Sequence, residues 1–232
     1  MAKDFNNQQV VEGYDQHIRK LIPGYELIHL QVAALLKSYV AEQADILVVG
    51  CGTGYELQYL AEQFPQWRFT AIDPAPNMLE KAKSHVAAKG LTEQIQFIQG
   101  DSSILDQVDR QFDAAVSILV SHFVPHPDKL DFFSHIAASL KSHGLCISYD
   151  LTLFKHSGQA QVLKQLVQSI GLVEAQANAM LERLENDFYL LDDGALQQCY
   201  LDAGFAEVEQ FSQVLSYVGL VGFKTKTMTA VS

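Results

Sequence analysis

The chain has 232 residues, 48% of them hydrophobic, three cysteines and a formal charge of −11. That length and apolar content bury one sizeable core, so one domain with an elaboration is expected rather than two. The charge argues against the broad basic face of a nucleic-acid binder, and Cys51, Cys146 and Cys199 have neither metal-ligand spacing nor the pattern of a disulfide framework.

Met1-Ala2-Lys3-Asp4 opens a polar stretch without the apolar core of a signal peptide, and no apolar run is long enough to span a membrane. With three reduced thiols, the expected location is cytoplasmic. Val10–Lys20 has a helical mix that Pro23-Gly24 stops. Tyr25–Tyr39 is a second helix, with Leu27, Leu30, Val32, Leu35 and Leu36 as its apolar stripe. From there strands and helices alternate. Strand Ile46–Val49 precedes helix Tyr55–Phe64, and strand Phe69–Ile72 precedes helix Pro76–Lys89, which Gly90 ends as a C-cap. Strands Ile95–Gln99 and Phe112–Ile118 follow, then helix Pro127–Leu140, a turn at Lys141-Ser142-His143-Gly144, and strand Leu145–Tyr149. This order predicts a doubly wound α/β fold with a mostly parallel seven-stranded sheet and helices on both faces. After Asp150 the alternation stops. A long, mostly helical stretch runs from Gln159 to Asn186, a short helix from Gly194 to Asp202, and two strands close the chain at Ala206–Phe211 and Val214–Phe223. The expected plan is an N-terminal helical cap (1–40), a core (41–150), a helical insertion after strand five (151–190) and a C-terminal helix with a hairpin (191–232).

The stretch Ile46-Leu47-Val48-Val49-Gly50-Cys51-Gly52-Thr53-Gly54 carries the chemistry. A buried strand breaks into three alternate glycines and passes at once into a helix. Glycines let backbone approach a ligand closely, and the helix N-terminus offers unpaired N–H groups. Asp73 ends the next strand about twenty residues on, where a doubly wound fold places the acid that holds ribose hydroxyls. The spacing is not G-x-G-x-x-G, since the third glycine comes one position early and Tyr55 stands where a dehydrogenase has Gly or Ala. A P-loop is excluded because no Gly-Lys-Ser/Thr follows.

The glycine segment resembles motif I of class I S-adenosylmethionine-dependent methyltransferases, acidic-x-G-x-G-x-G. It departs in one place: Val48 occupies the position of the acid. The resemblance extends over about residues 40–225 and implies the Rossmann-like class I fold, whose last strand runs antiparallel. A narrower likeness is to the carboxy-S-adenosylmethionine synthases of tRNA wobble-uridine modification. The shared features are an Asp-Phe-Asn opening, Pro23-Gly24-Tyr25 between two helices, Gly50-Cys51, Ala71-Ile72-Asp73, Gly100-Asp101 and Ala203-Gly204-Phe205. This resemblance implies N-terminal helices folded over the cofactor, with Tyr25 touching it, and a homodimer. It breaks where that family has an arginine for the cofactor carboxylate: Cys199 stands there, and a thiol cannot replace a bidentate guanidinium pair. The family's asparagine in strand four is Ser117.

The resemblance assigns cofactor contacts to Tyr25, Gly50, Cys51, Gly52, Gly54, Asp73, Pro74, Met78, Asp101, Ser102 and Ser117. Asp73 serves equally as a cap for the helix near Pro76, Met78 is half core, and Asp101 has the alternative of a turn carboxylate. His122 and His126 are the catalytic candidates. They follow strand four, beyond the carboxyl ends of the strands where open α/β sheets bind ligands, and a histidine accepts a proton near neutral pH. Their other reading is as loop histidines. Pro125 and Pro127 interrupt any helix between them and no third ligand is spaced for a metal, so no metal is expected. Ser121, Tyr14, His17 and Asp150 are further candidates.

The function expected is methyl transfer from S-adenosylmethionine to an oxygen, nitrogen or carbon of a small molecule, leaving S-adenosylhomocysteine. The partners expected are a small acceptor and a second copy of the chain, without nucleic acid or membrane. Three rivals stand beside it: a carboxy-S-adenosylmethionine synthase, a dehydrogenase, and a binding protein without catalysis.

Overall fold

In the computed structural model, residues 5 and 7–225 are described. The opening Met1-Ala2-Lys3-Asp4, Asn6 of the Asp-Phe-Asn likeness, and residues 226–232 lie outside them. Seven strands form one sheet: β1 (Asp45–Val49), β2 (Arg68–Asp73), β3 (Ile95–Gln99), β4 (Phe112–Ile118), β5 (Leu140–Leu151), β6 (Glu207–Val214) and β7 (Tyr217–Phe223). Their order is β3-β2-β1-β4-β5-β7-β6. The first five run parallel, and β7 is antiparallel to both β5 and β6. The strand order reverses between β1 and β4, and a crevice opens there at the carboxyl ends. This is the doubly wound α/β fold that the alternation predicted, with the antiparallel last strand that the resemblance implied.

Both faces of the sheet are covered, which is why its central strands are continuous apolar runs without alternation. One face packs Ile46, Val48, Val116 and Ile147 against α2 (Tyr14–Leu21), α3 (Tyr25–Tyr39), α4 (Tyr55–Gln63) and α5 (Pro76–Ala88). The insertion helices α7 (Gly158–Ser169) and α8 (Glu174–Asn186) join the same core through Leu163, Val167, Met180 and Leu184. The other face packs Leu47, Ala115 and Cys146 against α6 (Lys129–Ser139) and α9 (Asp193–Asp202), with Phe133 and Tyr200 meeting at 4.5 Å between ring centroids.

Four expectations change. Gly13 breaks the first helix, giving α1 (Gln8–Glu12) ahead of α2. The turn expected at Lys141–Gly144 is an irregular part of β5: the pairing of β4 with β5 jumps from Phe112–Leu140 to Ala114–Leu145, so a bulge absorbs those residues. The long stretch after β5 is two helices, because Gly171 takes φ 110° between α7 and α8. The final hairpin turns at Leu215-Ser216, with Leu215 at φ 55°, several residues later than expected. Its inner strand is apolar on both faces, so alternation gave no mark of the turn.

Candidate active site

The register of β1 on β2 pairs Val49 with Ile72 and so sets Gly50 beside Asp73. The loop folds over the end of β2, where Ile72 O accepts from Gly50 N (2.8 Å) and Cys51 N (3.1 Å). Asp73 fixes the next turn. Its Oδ2 accepts from Gly52 N (2.9 Å) and its Oδ1 from Ala75 N (2.8 Å). Burial raises this carboxyl above its ordinary range, against the pull of those two N–H groups. Gly50 has φ 70°, and a Cβ there would lie 2.5 Å from Val120 Cγ2. Gly54 has φ 82° and a Cβ would strike Ala82 of α5 at 2.9 Å. By contrast, a Cβ on Gly52 would meet nothing within 4 Å, so the loop faces open space there. Two glycines thus serve close packing, and the middle one faces a cleft.

Beside the loop, at Gly50 rather than Gly52, lies a cavity of about 440 Å³ lined also by Pro74, Asp101, Ser102, Phe132 and His135. The Asp101 carboxylate accepts from Ser103 N (2.9 Å) and Ser103 Oγ (2.6 Å), which holds it below its ordinary range. Ser102 Oγ lies 3.3 Å from His135 Nδ1.

At the other end of the loop stand acids. Asp15 of α2 accepts from Thr53 Oγ1 (2.5 Å), and Thr53 O is bonded by His85 Nδ1 (2.8 Å). Glu56, on the first turn of α4, is 7% exposed, and burial with the nearby Asp73 and Asp15 charges pushes it up to about 8. Open space above Gly52, a cavity beside Asp101, and three carboxyls around the loop suit a ligand with an adenosine end and a positively charged end. S-adenosylmethionine has both.

The remaining contacts assigned from sequence fall into two sets. Tyr25 is buried against Tyr55, with Arg19 over the Tyr55 ring at 4.4 Å. Cys51 and Met78 are buried, 1% and 3% exposed, the first in the core and the second on α5. Ser117 lies apart from the cleft: fully buried on β4, in a strand pair with Ser148, and without a hydrogen-bond partner for Oγ among the described residues.

A second cavity, of about 230 Å³, lies between α2, α8 and the ends of β4 and β5. It shares Phe123 with the first. His122 lines it and is 6% exposed. Its Nδ1 stands 3.1 Å from Asp150 Oδ1 on the adjoining strand, and Val120 N donates to the same oxygen at 3.1 Å. Lys129 donates to Ser121 O, and burial lowers its ammonium while the charge of Asp150 opposes that shift. Leu119 takes φ 61° between strand and loop, a strained value for a branched residue that turns the chain into this site. His126 goes elsewhere: it packs edge-on to Tyr189 at 5.9 Å and lines a separate groove with Leu153 and Glu185. Tyr14 and His17 also line the His122 cavity. The carboxylate behind His122 was read only as a further candidate, and Glu56 was not read at all. The signal for Glu56 was its place one helical turn before Leu60, on the buried stripe of α4. Among the described residues, no three metal-binding side chains gather.

Residues 46–144 match the methyltransferase domain family. The sequence is 36% identical over 104 residues to a biotin biosynthesis bifunctional protein of Teredinibacter turnerae, a match covering 43% of this chain and 18% of that one. It is 20% identical over 224 residues to a carboxy-S-adenosyl-L-methionine synthase of Actinobacillus pleuropneumoniae, covering 94% and 92%. Among solved structures, the magnesium protoporphyrin IX methyltransferase of Synechocystis, crystallised with bound S-adenosylhomocysteine, superposes with a TM-score of 0.62 at 17% identity, covering 89% and 86%. The fold is that of the class I methyltransferases, and residues 46–144 are similar to a methyltransferase domain. The chain spans less than a fifth of the bifunctional relative but nearly all of the carboxy-S-adenosylmethionine synthase.

Proposed function

We propose that the chain transfers a methyl group to a small molecule held in the cavity beside His122, with His122 as general base. The observation that carries this reading is the His122–Asp150 pair at 3.1 Å, set at the wall of a mostly apolar pocket that shares Phe123 with the cavity beside the glycine loop. S-adenosylmethionine supplies, when bound, an activated methyl group on a positively charged sulfur. The chain's own part is positioning, exclusion of water and handling of one proton. Asp150 accepts from Nδ1–H and so fixes the tautomer, which leaves the Nε2 lone pair for the acceptor proton. Asp15 and Asp73 give the loop end a negative field that favours a cationic cofactor. Gly50, Cys51, Gly52, Asp73, Pro74, Asp101 and Ser102 are read as the cofactor contacts, with Tyr25, Gly54, Met78 and Ser117 as packing around them. His126 belongs to the outer groove. The N-terminal helices act as the cap, tied down by Asp15–Thr53.

His122→Ala tests this. Transfer should fall by about 10²–10⁴, while the Kd for S-adenosylhomocysteine stays unchanged. An unchanged kcat would remove His122 from the chemistry.

A second reading is carboxy-S-adenosylmethionine synthesis, favoured by the near full-length likeness. Cys199 opposes it: it sits on α9, packed with the core on the α6 face, where it cannot hold a carboxylate as arginine does. Mass spectrometry of the copurified cofactor separates the two, since the second reading demands an added carboxylate. A cytoplasmic homodimer completes the proposal and rests on the family resemblance; a monomer by light scattering would remove the dimer.

A further inference from the structure

We propose that the cavity beside His122 takes a small phenol, one ring or two fused rings with an ionisable hydroxyl, as the methyl acceptor. This rests on the reading of His122 as base and names the acceptor class for that same site.

Size comes first. An apolar cavity of about 150 Å³ takes benzene and stays dry when empty. The present one, at about 230 Å³, is larger by roughly half, which suits one ring or two fused rings. Shape follows from the walls. Phe5 and Phe123 meet edge to face at 5.6 Å, and Phe123 and Phe188 at 5.2 Å, so ring edges and faces both border the space. Met180 brings a polarizable thioether. Aromatic guests gain from ring edges and from sulfur beyond the area they bury.

Charge then separates phenols from other aromatic molecules. Arg183 is the cation on the wall, and its Nε is bonded to Asp187 Oδ2 at 3.0 Å. A benzoate would bring a negative charge into a wall already balanced. An ammonium would lose its water and find Asp150 shielded behind the imidazole. A neutral hydroxyl instead donates to Nε2 of His122, the one hydrogen bond that this ring is set to accept. In the transfer, the O–H bond breaks and its proton goes to Nε2. The oxygen pair forms the new bond to the methyl carbon, while the carbon–sulfur pair stays on sulfur and the sulfonium charge is discharged. Tyr14, His17, Gln176 and Tyr217 bring the other polar groups to the wall, and these fit a second ring substituent such as a neighbouring hydroxyl.

The test is calorimetric titration of the whole protein, saturated with S-adenosylhomocysteine, with phenol, catechol, benzoate and benzylamine. A companion variant, Ala179→Trp, fills the cavity from an exposed position on α8. Phenol and catechol should bind at least tenfold more tightly than benzoate or benzylamine, and the variant should weaken them at least tenfold at unchanged S-adenosylhomocysteine affinity. Equal or tighter binding of benzoate or benzylamine, no binding of either phenol, or phenol binding untouched by the variant would each overturn the proposal. Absence of S-adenosylhomocysteine binding would sink the parent reading instead, and is seen in the first titration, before any probe is added.

Discussion

Glu56→Gln should make the protein less sensitive to alkali, by an amount set by where Glu56 sits. The carboxyl is 7% exposed on the first turn of α4, with Asp73 and Asp15 near enough to oppose its charge. Its folded-state value rises from the ordinary 4.5 to about 8. Between those values the folded protein keeps a proton that the unfolded chain has released. Stability therefore falls as pH rises through that window, by up to about 1.4 kcal/mol per pH unit. The loss from this group alone is about 5 kcal/mol above pH 8, and none of it is present below pH 4.5. Glutamine keeps the shape of the neutral acid and cannot ionise. The stability of the variant relative to the native protein should thus grow by about 2–3 kcal/mol between pH 5.5 and pH 7.5. Urea unfolding followed by the fluorescence of Trp67, the single tryptophan and 2% exposed, measures both proteins at each pH. A difference that stays constant across these pH values would refute the burial argument.

Gly50→Ala should abolish binding of S-adenosylhomocysteine by calorimetry, because φ 70° and a Cβ 2.5 Å from Val120 Cγ2 force the loop to move; affinity within threefold of the native protein would contradict this. Asp73→Asn turns one oxygen into an amide that faces a backbone N–H, so either Gly52 N or Ala75 N loses its acceptor. A stability loss of about 1–3 kcal/mol is expected, together with weaker cofactor binding, by denaturant titration with and without S-adenosylhomocysteine. His29 is buried, 2% exposed, and burial holds it down to about 4 from an ordinary 6.5. The unfolded chain takes up its proton first, so this stability is complete above pH 6.5 and is lost as pH falls towards 4, by up to about 3 kcal/mol. The native protein should lose that much relative to His29→Gln over the same interval; parallel curves would count against it.

Strands β1, β2 and β3 were legible because glycine or a carboxylate closes each of them. Ile95–Gln99, Phe112–Ile118 and helix Tyr25–Tyr39 coincide with the expected spans. The cofactor loop was legible for a related reason: left-handed backbone at Gly50, Gly52 and Gly54 demands a residue type that sequence displays. Partnership across strands was less visible. His122 and Asp150 are 28 positions apart and meet because β4 and β5 are parallel neighbours ending at the same level, which no local pattern encodes. Glu56 drew no reading, since a lone glutamate beside Tyr55 and Leu57 carries no mark of the acids that surround it. The hairpin turn at Leu215-Ser216 was missed because Leu215 is not a usual turn former and accepts φ 55° only under tertiary constraint.

The tie between Asp15 and Thr53 has a kinetic side. Thr53 belongs to the glycine loop, Asp15 to the helix that roofs the His122 cavity, and His85 on α5 bonds to Thr53 O while its Nε2 stands 3.8 Å from Asp15. Lifting α2 away from this knot breaks a contact of the very segment that faces the cofactor cleft. On the proposed site, exchange of spent cofactor and admission of a new acceptor would share one opening, and their rates should rise or fall together when the knot is loosened.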